Sequence, residues 1–66
     1  MTFSVRLKQL ISDAGITQET LAQAIGYTQR AVSKWVNGQA EPSATAVKLC
    51  AEYFEVSADY LLGLED

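Results

Sequence analysis

Within the stretch "TQRAVSKWVNG" (28–38), Gln29, Arg30, Ser33 and Lys34 carry side chains that can bond to base edges. On a helix, Gln29 and Ser33 stand four residues apart, as do Arg30 and Lys34, so the four make two adjacent rows on one face. Arginine spans O6 and N7 of a guanine in bidentate fashion, glutamine pairs with N6 and N7 of an adenine, and serine suits either. Thr28 adds a methyl group of the kind that packs against thymine, beside a hydroxyl that can cap a helix. The competing reading is a solvated helix face, the ordinary fate of such residues when nothing else frames them.

The rest of the chain tells against most other chemistries. Its 66 residues include no histidine, so the usual general base and the commonest metal ligand are both missing. No nucleophile–base pair and no phosphate cradle is present, so an enzyme is not expected, and neither is a cofactor or a metal. Glu52, Glu55 and Asp59 have ordinary helical spacing and read as solvated carboxylates. The single cysteine, Cys50, precludes an internal disulfide and fits a reducing cytoplasm. No apolar run approaches the ~20 residues of a membrane span, and "MTFSVRLKQL" lacks the continuous apolar stretch of a signal peptide.

Net charge is −3, which alone argues weakly against a nucleic-acid partner. Its distribution matters more. In residues 1–40, Arg6, Lys8, Arg30 and Lys34 outnumber Asp13 and Glu19. In residues 41–66, Lys48 stands alone against Glu41, Glu52, Glu55, Asp59, Glu65 and Asp66. The molecule is polarised, with a mildly basic first part that contains the base-reading segment.

Five short helices account for the pattern, in one domain spanning 1–66. Leu7, Leu10, Ile11 and Ala14 form one inward stripe, closed by Gly15. Thr17 caps a second helix to about Ala24, with Leu21, Ala22 and Ile25 inward; Thr28 caps a third over 28–36, with Val32, Trp35 and Val36 inward. Trp35 is therefore a core residue and not a stacking platform. Ser43, after Pro42, opens a fourth with Val47, Cys50, Ala51 and Phe54 on its stripe, which makes Cys50 a buried, inert thiol. Val56 and Ser57 start a fifth that runs to about Leu62 and ends at Gly63. No stretch alternates like a strand, so the expected class is all-α.

The second and third helices are joined by only Ile25, Gly26 and Tyr27, a corner tight enough to make them cross steeply. Ala22 permits the close approach, and Gly26 accepts the positive φ that a sharp turn asks for. With these features in place, "TQETLAQAIGYTQRAVSKWVNG" (17–38) and "EPSATAVKLCAEYFEVSADYLLG" (41–63) resemble the lambda-repressor-like, Cro/XRE family of helix-turn-helix DNA-binding domains. The resemblance covers nearly the whole chain. It implies a compact five-helix fold with a helix-turn-helix at about 17–37, whose third helix enters the major groove of double-stranded DNA.

The resemblance places Thr28, Gln29, Arg30, Ser33 and Lys34 against bases. It implies a phosphate contact for Gln18 at the start of the second helix, and for Asn37 and Gly38 through main-chain N–H groups after the third. Asn37 and Gly38 also read simply as a helix cap and turn. The chain departs from many relatives in having Ile11 and Val36 where an arginine and a glutamate usually pair. An aliphatic pair in that place is often neutral or stabilising. It also has "QAE" at 39–41 where a basic residue is common. With about three phosphate-directed cations, a monomer is expected to bind weakly, with a salt slope of ~−3.

Useful affinity then requires two copies. Tyr60, Leu61, Leu62 and Leu64 are more apolar groups than one short helix buries, and they are the candidate dimer surface; the alternative is that the fifth helix only closes its own core. The expected function is a sequence-specific transcriptional regulator, a repressor acting as a homodimer on a palindromic operator. No small-molecule ligand and no membrane is expected among its partners. The reading from another class is a protein-interaction module that keeps the fold without DNA binding.

Overall fold

The computed structural model describes residues 2–65 and consists of helices α1 (Thr2–Ala14), α2 (Gln18–Ile25), α3 (Gln29–Val36), α4 (Ala44–Phe54) and α5 (Ala58–Leu62). Local chemistry sets nearly every boundary. Thr17, Thr28, Ser43 and Ser57 hold extended backbone just before α2, α3, α4 and α5, and each hydroxyl accepts from the N–H three residues on. A cap of this type contributes about 1 kcal/mol. The helices all end the same way, with a left-handed residue followed by an N–H that reaches back five residues. These bonds run from Ile16 to Ile11, Tyr27 to Ala22, Gln39 to Lys34, Val56 to Ala51 and Leu64 to Asp59.

Four of the five closing residues are glycines; the one on α4 is Glu55, at φ 56°. A side chain in that region costs roughly 1–2 kcal/mol. The closure nevertheless forms, because it lets Val56 pack against the core and turns the chain into α5.

α2 packs on α3 and α4, α1 on α3 and α5, and α4 on α5. Leu7, Leu21, Val32, Cys50 and Leu61, from all five helices, meet at the centre with no exposure. Several expectations from sequence shift, and Val36 and Phe54 are half-buried rather than central. The buried stripe of α1 is Phe3, Ser4, Leu7 and Ile11; Leu10 is half-buried and Ala14 exposed. The corner between α2 and α3 comprises Gly26, Tyr27 and Thr28, since α2 extends through Ile25. Leu61 is wholly inside its own subunit and so presents no surface to a second copy. Among the described residues, no helix is long and apolar enough to cross a membrane.

Candidate nucleic-acid interface

The placement of α3 follows from what it buries. Val32 and Trp35 are in the core, and Ala31 and Val36 are half-buried beside them. The Trp35 ring meets Tyr27 edge-on at 5.1 Å between centroids and Phe3 at 6.4 Å, with interplanar angles of 65° and 79°. Such aromatic contacts prefer these T-shaped geometries, so three rings from α1, the corner and α3 fix the rotation of the helix. The Tyr27 hydroxyl also lies 3.3 Å from Ser43 Oγ, which ties the corner to the start of α4.

Gly26 is the hinge of the corner, at φ 79° and ψ 26°. Its backbone conformation lets Tyr27 N–H bond Ala22 carbonyl at 2.9 Å, which reverses the chain in three residues. Ala22, buried and small, permits the approach of α3.

With its apolar side committed, α3 turns Gln29, Arg30 and Lys34 to solvent and leaves Ser33 half-buried between them. Gln29, Arg30, Ser33, Lys34 and Gln39 line one open groove of about 500 Å³. Asn37 Nδ2 donates to Ser33 Oγ at 3.5 Å, so those two polar groups are linked at the helix end. Thr28 is exposed, and its hydroxyl accepts from Ala31 N–H at 3.1 Å; the methyl is the part of the side chain without that duty.

Gln18 is the first residue of α2 and is half-buried. The helical ladder begins with Leu21 N–H on the Thr17 carbonyl, and Thr20 N–H is held by Thr17 Oγ1. The N–H groups of Gln18 and Glu19 precede that ladder. The Glu19 carboxylate accepts from Gln23 Nε2 at 3.5 Å along the outer face of α2.

At the other end of the surface, Asn37 N–H bonds the Ser33 carbonyl at 3.0 Å and Gly38 N–H the Trp35 carbonyl at 3.2 Å. Those two main-chain donors are engaged in closing α3. The cap-and-turn role of Asn37 and Gly38 is thus formed, while their main-chain N–H groups are not free for a phosphate. Gln39, on the groove wall, escaped sequence reasoning because it lies beyond the end of α3, where helical spacing assigns no face.

Of the four tail residues, Leu62 and Leu64 are exposed, at 47% and 72%. Tyr60 is half-buried, with the Arg6 guanidinium 4.3 Å from its ring centroid. Ile11 is buried and Val36 packs against the same cluster, so both aliphatic side chains have apolar surroundings. Burial pushes the Cys50 thiol up to about 11, as befits an inert group.

Comparison with known proteins is consistent with this geometry. A family model described as helix-turn-helix matches residues 7–61. The chain is 35% identical over 66 residues to the HTH-type transcriptional activator BcrR of Enterococcus faecalis, covering all of this chain and 32% of that protein. It is 34% identical over 50 residues to the HTH-type transcriptional regulator PrtR of Pseudomonas aeruginosa, covering 76% of this chain and 20% of that one. The chain therefore spans between a fifth and a third of the length of these relatives. The solution structure of the DNA-binding domain of the P22 C2 repressor superposes with a TM-score of 0.86 at 24% identity, over 94% of this chain and 82% of that one. This five-helix chain belongs to the Cro/XRE-type helix-turn-helix family and has its lambda-repressor-like fold.

Proposed function

We propose that the chain binds double-stranded DNA sequence-specifically, with α3 in the major groove, and acts as a transcriptional regulator. The observation that carries this reading is the single solvent-facing surface made by Gln29, Arg30, Ser33 and Lys34 on a helix whose opposite face is locked in the core. Arg30 and Gln29 suit guanine and adenine edges, Thr28 suits a thymine methyl, and Lys34 suits a base or a phosphate. Gln18 supports the placement from the start of α2, where first-turn N–H groups favour a phosphate.

The cations available to phosphate are few, so one copy has modest affinity. Two copies on a palindrome, with half-sites about one helical turn or ~34 Å apart, supply the rest. Occupancy of such a site is sufficient to block a promoter, and repression is the output that needs nothing beyond binding.

The test is selection from random duplexes at low salt, followed by Arg30→Ala and Lys34→Ala. The expected outcome is an enriched palindrome. Arg30→Ala then loses ~1–3 kcal/mol and relaxes preference at one base position, whereas a phosphate-directed Lys34 weakens all sequences evenly on removal. A pool that never enriches, together with capture of a defined protein partner, supports the interaction-module reading and overturns this one.

A further inference from the structure

Gln39 stands just beyond the end of α3, and its location points to a task on the same surface. It lines the same groove as Gln29, Arg30, Ser33 and Lys34. Its backbone is held firmly for a surface turn. Gln39 N–H bonds the Lys34 carbonyl at 2.8 Å, and Gly38 N–H bonds the Trp35 carbonyl at 3.2 Å, with Gly38 left-handed at φ 71°. Beneath the turn, the hydroxyl of Ser4 donates to that same Trp35 carbonyl at 2.5 Å. Ser4 is the one buried polar residue among those described, at 6% exposure, and its Oγ lies 3.7 Å from where a Cβ on Gly38 would sit.

We propose that Gln39 is a fifth base-reading side chain, and that Ser4 is the positioning residue that holds its turn. The inference rests on the DNA-binding reading above. A neutral amide gains little from a phosphate compared with lysine or arginine, but it offers the paired donor and acceptor that match N7 and N6 of an adenine. Reading a base edge requires a backbone that does not wander. The Ser4–Trp35–Gly38 arrangement supplies that restraint through one buried carbonyl that accepts from both the Ser4 hydroxyl and the Gly38 N–H. The two residues are far apart in sequence, and only the packing of α1 on α3 brings the hydroxyl to the turn.

The experiment repeats the duplex selection with the full chain and with Gln39→Ala, Gln39→Lys and Ser4→Ala, each checked for complete folding at the binding temperature. Expected for Gln39→Ala is lost preference at one base pair, different from the one relaxed by Arg30→Ala, with ~5- to 10-fold weaker binding to the selected site and unchanged affinity for random duplex. Gln39→Lys adds a cation to the groove and steepens the salt slope by about 1. Ser4→Ala blurs the Gln39 base pair and spares the Arg30 one, with faster amide exchange at Gly38 and Gln39 in the free protein.

An unchanged motif for Gln39→Ala, or a loss spread evenly over all sequences, overturns base reading by Gln39. Loss of thermal stability in Ser4→Ala with an intact motif overturns its positioning role. In both cases the wild-type motif still stands, so the general reading survives; a wild-type chain that enriches no motif sinks both together.

Discussion

The guanidinium of Arg6 lies 4.3 Å from the centroid of the Tyr60 ring, and its Nη1 donates to the carbonyls of Tyr60 and Glu65, each at 2.6 Å. One side chain on α1 thereby holds both α5 and the residues after it. Counted from sequence, Arg6 belongs to the basic half that would meet DNA; in the fold it faces the acidic end instead. Charged hydrogen bonds and a partly exposed cation–π contact together make Arg6→Ala cost about 1–2 kcal/mol. Thermal melting should fall by roughly 4–8 °C for each kcal/mol. Arg6→Lys recovers only part of it, because an ammonium has no planar face to lie on the Tyr60 ring while it bonds the carbonyls.

The same placement bears on salt dependence. Arg30, Lys34 and Lys8 remain as exposed cations of the first forty residues. Two or three phosphate neutralisations give a slope of about −2 to −3, so affinity per copy falls by one to two decades between ~50 and ~200 mM salt. Arg6→Ala should leave that slope unaltered. A slope shallower by about 1 in this variant would place Arg6 against phosphate and contradict its role at the tail.

Glu55 closes α4 in the left-handed conformation that glycine adopts at the ends of the other four helices. Glu55→Gly relieves the side-chain cost there, offset in part by the greater freedom of glycine in the unfolded chain. The expected gain is about 0.5–1 kcal/mol in denaturant melts, with an unchanged selected motif, since Glu55 is not among the residues that line the α3 groove. A destabilised variant would mean that the Glu55 side chain makes a contribution beyond its backbone.

Glu55 also shows what sequence conveys and what it withholds. Thr17, Thr28, Ser43 and Ser57 were readable as helix starts because a cap is a bond across three residues. Gly15, Gly26, Gly38 and Gly63 were readable as ends because the residue type is its own conformational signature. A glutamate in their place has no such signature; the docking of α5 selects its conformation. Arg6 and Ser4 were invisible for a related reason, their partners being 54 and 31 residues away. On the surface, the Val32 and Trp35 spacing was enough to deduce which side of α3 faces out. The engagement of the Asn37 and Gly38 N–H groups depended on hydrogen-bond geometry that no spacing rule specifies.

Cys50 yields a pH prediction. Its thiol is fully buried and its pKa is raised from 9.0 to about 11 by desolvation. The unfolded chain forms the thiolate first, so the stabilising preference for the neutral thiol is complete below pH 9 and is lost as pH rises toward 11. Within that window the contribution falls by up to about 1.4 kcal/mol per pH unit. Cys50→Ala should start less stable at pH 7, because it leaves a small cavity, yet lose less between pH 9 and 11 than the parent does. Parallel pH curves for the two proteins would show that the thiol ionises freely in the fold.

The tail separates folding from pairing. Leu61 is in the core, so Leu61→Ala should cost about 2–5 kcal/mol and lower the melting temperature steeply. Leu62 and Leu64 are exposed, and Leu62 walls a groove of about 300 Å³ with Thr2, Phe3, Glu41, Pro42 and Val47. Leu62→Ser and Leu64→Ser should therefore change monomer stability by no more than about 0.5 kcal/mol. If a second copy seats on this surface, both variants bind a two-half-site duplex no better than two independent half-sites, while their affinity for one half-site matches the parent's. Full cooperativity in both variants would move the contact between copies elsewhere on the domain and leave these leucines as ordinary exposed surface.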